Sequence, residues 1–143
     1  MSNIARTIIT STDDSNVDVL TAPAGYIYEI MWAYVEYTST ATAGNRLLSM
    51  QVVNSSSVVV EKSEAGAVQA ASNTYYYNFC RGVAREDAIS NNTLTVPFPL
   101  GLSLISGDTL RIKDANEIAP AADDMVITAQ YKIIDTVNAR QIK

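Results

Sequence analysis

The residues of this chain with chemistry to offer are carboxylates, tyrosines and one thiol, because histidine is absent. Its absence removes the commonest general base, the commonest activator of a nucleophile and the commonest metal ligand together. A Ser-His-Asp or Cys-His device cannot be assembled, and a histidine-ligated metal of the cupin kind is excluded with it. Glu29 and Glu36 stand seven apart in a run that reads as extended. Strict alternation puts them on opposite faces, where they cannot flank one glycosidic bond, and if buried they need cations such as Arg46 or Arg111. Asp108, Asp114, Glu117, Asp123 and Asp124 are denser. They lack the glycine-kinked spacing of a calcium loop, so solvated loop charge is the plainer account. Cys80 ends an alternating run beside Arg81, the setting of a packing cysteine and not of a nucleophile. In Tyr75-Tyr76-Tyr77 the outer two face one side of a strand and Tyr76 the other. An exposed Tyr76 suits stacking on a sugar, although packing in a core or interface explains the triplet more simply. The expectation is a non-enzymatic protein with no catalytic residues, no cofactor and no metal.

Composition narrows the class further. Of 143 residues, 48% are apolar and 17% charged, which describes a folded domain and not a disordered one. The length fits one domain, and such a chain buries roughly 68–70% of the surface its unfolded form exposes. Ten basic against fifteen acidic residues leave a net charge of -5, with the basic ones scattered singly. A duplex nucleic-acid binder needs them clustered, so no nucleic-acid partner is expected. One cysteine allows no intrachain disulfide, which points to folding in a reducing cytosol. No leader-like apolar segment opens the chain, and the longest apolar run, 26–37, is interrupted by Glu29 and Glu36. It falls short of the ~20 residues of a membrane helix, so no membrane partner is expected either.

The elements that must position these residues are strands. Met125, Ile127, Ala129, Tyr131 and Ile133 alternate with polar neighbours, as do Leu48, Met50 and Val52, and Leu94, Val96 and Phe98. Turn signals at Pro23-Ala24-Gly25, Gly44-Asn45, Ala65-Gly66 and Gly107-Asp108 separate such runs, with Ala22 to Gly25 suiting a type I turn. Eight strands are predicted, at about 16–20, 26–38, 46–53, 58–62, 73–80, 93–98, 108–113 and 125–135. Their count and spacing predict an all-β fold, an eight-stranded jelly-roll sandwich of two antiparallel sheets spanning 16–135. Residues 1–15 read as an N-terminal arm and 136–143 as a polar C-terminal tail. Ile4, Ile8 and Ile9 would let the arm pair as an added strand.

The segment 26–37 is apolar on both faces. Strict alternation gives Tyr26, Tyr28, Ile30, Trp32, Tyr34 and Glu36 on one side, and Ile27, Glu29, Met31, Ala33, Val35 and Tyr37 on the other. One face covers the core, and the other is a large patch of the kind soluble monomers rarely leave in water, to be covered by loops of the same chain or, the favoured reading, by another subunit. Tyr28, Trp32, Tyr34, Tyr37 and Tyr76 are therefore candidate contacts with another subunit or partner, joined by Ile4 and Ile8 of the arm.

A run of short patterns carries a resemblance. Pro23-Ala24-Gly25 precedes a long aromatic strand ending in Tyr37-Thr38-Ser39-Thr40-Ala41, and Gly44-Asn45-Arg46 opens the next. Ala70-Ala71-Ser72, Pro97-Phe98-Pro99-Leu100-Gly101, Gly107-Asp108-Thr109-Leu110-Arg111-Ile112 and Ala122-Asp123-Asp124-Met125 follow. Over about 17–134 this resembles the small structural proteins of tailed bacteriophages, in particular capsid cement or decoration proteins. The resemblance implies jelly-roll subunits, often trimers, that sit on the outside of a head and clamp neighbouring capsid subunits. It implies a homo-oligomer, with a trimer favoured, a phage major capsid protein as partner, and a place in the virion after assembly in the bacterial host cytoplasm. Related forms serve as head fibres or receptor-binding heads, so the alternative is a carbohydrate- or receptor-binding head of a tail fibre or spike. The role lies in surfaces, and no catalytic residue transfers.

Overall fold

Period-two alternation becomes strand along most of the chain. The computed structural model describes residues 2–12, 15–118 and 122–139. In chain order its strands are β1 (Ser2–Ser11), β2 (Asn16–Thr21), β3 (Tyr26–Thr38), β4 (Leu48–Val53), β5 (Val59–Glu64) and β6 (Thr74–Arg81). β7 (Glu86–Ser90), β8 (Thr93–Phe98), β9 (Ser103–Leu104), β10 (Thr109–Asp114) and β11 (Asp124–Asp135) follow, with a helical turn α1 (Thr136–Ala139) after them.

The fold is an all-β sandwich, as the alternation predicts, with eleven strands in place of eight. The eight predicted runs correspond to β2 through β6, β8, β10 and β11. The additional three are those that alternation marks poorly. β1 is polar at six of its ten residues, β7 opens on Glu86-Asp87, and β9 is two residues long. The described part of the presumed arm is β1, and the tail begins with α1. Residues 1, 13, 14 and 140–143 of those two segments lie outside the described residues.

One sheet has seven strands in the order β1-β11-β3-β6-β8-β7, with β9 also paired to β3, and the other runs β2-β10-β4-β5. The chain crosses between sheets from β1 to β2, β2 to β3, β3 to β4, β5 to β6, β9 to β10 and β10 to β11, the wrapping habit of a jelly roll. The pairs are antiparallel except β6 with β8, which is parallel and departs from the expected arrangement. β7 explains it, since it runs back against β6 on the far side of β8, so that β8, antiparallel to β7, takes the direction of β6.

The core lies between the sheets. Ile30, Val35, Tyr77, Phe79, Leu94, Val96 and Ile127 of the larger sheet meet Met50, Val52, Leu110 and Ile112 of the smaller, all at most 2% exposed. At about 25 cal/mol per Å² of apolar surface, this one cluster is the main source of stability. β1 belongs to it, because Ala5 and Ile9 pack on its margin and the strand pairs from Ser2↔Ile134 to Ser11↔Met125.

Two local features depart from strict expectation. The turn after β2 closes one residue late, with Tyr26 N–H donating to Pro23 C=O at 3.3 Å and Gly25 at φ +85°. A positive φ at the third position makes it type II and explains the glycine. In β3 the pairing with β11 steps from Trp32↔Gln130 to Ile30↔Tyr131, leaving Met31 as the extra residue of a β-bulge.

Candidate functional site

The bulge at Met31 decides what β3 presents. Beyond it Ala33, Val35 and Tyr37 face the core, whereas before it Ile30 is fully buried and Tyr28 packs on the core, its ring 4.8 Å from that of Tyr131. The strand thus changes phase, and the even and odd sets of strict alternation do not describe its faces. Ile27, Glu29, Trp32, Tyr34 and Glu36 share the outer face, and both glutamates lie on it. Glu29 and Glu36 are therefore on one face and not on opposite ones, yet seven strand residues still hold them roughly 20 Å apart.

The other chemical candidates are absorbed by structure. Glu29 pairs with Arg81 and Asp18 with Arg111, so neither Arg46 nor Arg111 serves the glutamates. Asp114 is fully buried and accepts hydrogen bonds from the backbone N–H of Leu47, Asn116 and Ile118 at 2.9–3.0 Å. Asp108 takes the N–H of Ile105 at 3.1 Å, and Glu117 pairs with Lys113. These acids tie turns. Burial raises the Cys80 thiol above its ordinary value, which keeps it protonated at neutral pH.

A network missed in the sequence closes one end of the sandwich. Arg46 and Asp123 are both 0% exposed, and Arg46 Nε donates to Asp123 Oδ2 at 3.0 Å. Arg46 Nη1 reaches the carbonyls of Thr42 and Gly44 at 2.9 and 2.8 Å. Asp123 also accepts from the Tyr37 hydroxyl at 2.7 Å and from Thr40 N–H at 2.9 Å. Gln69 extends the network, donating to Tyr37 C=O and accepting from the Tyr77 hydroxyl. Burial pushes the Asp123 carboxyl up, but the bonds from Arg46, Thr40 and Tyr37 more than offset it and hold it below the usual range. Burial and the bond to Asp123 raise the Tyr37 phenol. Among the described residues no buried side-chain nitrogen or oxygen lacks a partner.

What remains is the outer face of the seven-stranded sheet. Register aligns Arg6, Gln130, Trp32 and Cys80 in one row, Ile8, Thr128, Tyr34 and Asn78 in the next, and Thr10, Val126, Glu36 and Tyr76 in a third. Trp32, Tyr34 and Tyr76 are half-buried in this open face, and Ile4 and Ile8 are 63% and 67% exposed. The Arg6 guanidinium lies 5.5 Å over the Trp32 ring and donates to Gln130 Oε1 at 2.8 Å. Tyr34 and Tyr76 stack at 6.3 Å with rings 11° apart. Five of the seven expected contact residues, Ile4, Ile8, Trp32, Tyr34 and Tyr76, come together here. Tyr28 faces the core side, and Tyr37 is a fully buried core residue with no surface to offer a partner. The Tyr28 correction follows from the phase change at Met31, whereas Tyr37 is on the core side with Ala33 and Val35 by simple alternation. Arg6, Gln130 and Asn78 join the face through cross-strand register, for which a single sequence carries no signal.

No family model and no curated protein matches the chain. Among solved structures it is similar to a chain of the cyanophage Pam1 capsid asymmetric unit, at 16% identity and a TM-score of 0.46, covering 92% of this chain and 84% of that one. It is also similar to a chain of the infectious bursal disease virus Gt strain, at 9% identity and a TM-score of 0.34, covering 92% of this chain but 32% of that one.

Proposed function

We propose that this protein is a non-enzymatic structural component of a virus particle, most specifically a capsid cement protein of a tailed phage. In this reading it forms a homo-oligomer, with a trimer favoured, and clamps a major capsid protein on the outside of the head. The observation that carries it is the open outer face of the larger sheet, where Trp32, Tyr34 and Tyr76 lie beside the exposed Ile4, Ile8 and Val126. Apolar surface of this kind marks contact with another protein. Aromatic rings in an interface contribute large area at low loss of side-chain freedom. The phage-like succession of sequence motifs supports the same reading.

Sedimentation at micromolar concentration tests it. An oligomer is expected, and the combined Trp32→Ala and Tyr34→Ala substitutions should weaken its association by at least about tenfold while the thermal melt remains cooperative. A 15.5 kDa monomer at every concentration would overturn it. The Tyr34–Tyr76 stack, with Asn78 beside it, favours a second reading as a glycan-binding head. Glycan-array binding lost in Tyr76→Ala, from a wild-type chain that stays monomeric, would choose that reading over the first.

A further inference from the structure

The four outermost strands of the two sheets are not built alike. Natural sheets blunt their edges with charge, bulges or short length, because an unpaired row of N–H and C=O groups invites another strand. β2 is six residues long, carries Asp18, and leaves Val19 unmatched where its register with β10 shifts. β5 carries Glu61, Lys62 and Glu64 and leaves Val60 unmatched opposite Val52 and Val53. β7 carries Glu86 and Asp87, and its register against β8 shifts between Glu86 and Ser90. β1 has none of these devices. It runs ten residues in unbroken register, contains no proline, glycine, lysine or acid, and carries three isoleucines and two threonines. Its one charge, Arg6, is folded back over Trp32 and onto Gln130. Among the described residues no strand pairs with its free side.

We propose that the free edge of β1 pairs antiparallel with β1 of a second copy across a two-fold axis, so that the larger sheet runs on from one protomer into the next. This goes beyond the face contact proposed above and rests on that reading only in taking the chain as self-associating; where the face contact builds a trimer, the two-fold edge joins protomers of different trimers. A second copy is the occupant that the strand's own pattern fits. β1 brings no acidic residue to the seam, so the contact sits where two chains of net charge -5 repel least, and its side chains are self-complementary about one axis. The register is constrained as well. An axis at Arg6 would set two guanidinium groups opposite one another. An axis at Thr7 pairs Thr7 with Thr7 and Ile4 with Thr10, matching β-branched side chains across the seam, and sets Arg6 opposite Ile8 and away from its own copy.

Cysteine cross-linking under mild oxidation reads this register. In a Cys80→Ser background, Thr7→Cys should cross-link to itself at least about tenfold faster than Ile4→Cys, whose two copies would lie some 20 Å apart along the strands. Mixed Ile4→Cys and Thr10→Cys chains should cross-link to each other at a rate comparable with Thr7→Cys. Equal rates for Thr7→Cys and Ile4→Cys would show collision without register and overturn the proposal. So would an oligomer that persists in the sedimentation experiment while none of these positions cross-links, in which case the face contact stands and the edge contact does not. Loss of both the oligomer and the cross-link defeats the two readings together. Cross-linking at Thr7 that survives Trp32→Ala/Tyr34→Ala shows the edge acting independently of the face.

Discussion

Arg46 and Asp123 are closed off from water and form an ion pair at that end of the sandwich. Removing one side of such a pair leaves a charge with neither solvent nor partner, an outcome that costs about 3–5 kcal/mol. Asp123→Asn is expected to lower stability by an amount of that order in urea or thermal unfolding. The pH dependence has a definite sign. The folded carboxyl titrates below the ordinary aspartate value of about 3.9, so its contribution is complete above that pH and fades as pH falls through the folded value. The melting temperature of the wild type should therefore drop more steeply below about pH 4 than that of Asp123→Asn. Equal slopes would show that the pair is not the acid-sensitive element. None of this was legible from the sequence, because Arg46 and Asp123 stand 77 residues apart and nothing local marks either as buried.

At the scale of the strand, β3 shows how a correct reading of extension can carry a wrong reading of faces. Alternation found the strand and its length. It could not find the bulge, because one extra residue in a run that is apolar throughout changes no local pattern. The two glutamates were the available clue. Strict alternation gives each face one carboxylate, whereas a core-facing side should have none, and a single phase change between them resolves the conflict. Deleting Met31 tests the point. It removes the extra residue and joins Ile30 to Trp32 in regular alternation, so Ile30 stays in, Glu29 stays out and the pairing with β11 is kept. The shortened protein should still unfold cooperatively in denaturant, whereas deleting Val35, where no extra residue absorbs the loss, should cost at least about 3 kcal/mol. β1 was legible only as an option. Its isoleucines allow an added strand, but whether they pair depends on β11, more than a hundred residues away.

For the molecule as a whole, the sandwich was readable because β2, β8, β10 and β11 carry period-two burial between recognisable turns. Strand order was not, since the two sheets are assembled from pairings distant in sequence, such as β2 with β10 and β3 with β11. The same limit hid the functional surface. Trp32, Tyr34 and Tyr76 could be proposed one at a time, but the face they form with Arg6, Gln130 and Asn78 exists only once four strands lie side by side. On that face the long side chain of Arg6 is already clamped between an indole ring and an amide. Its rotamer freedom, worth about 2 kcal/mol in a loose arginine, has been surrendered during folding. A partner landing there would find the guanidinium already set, and little ordering entropy would remain to oppose a fast, rigid fit.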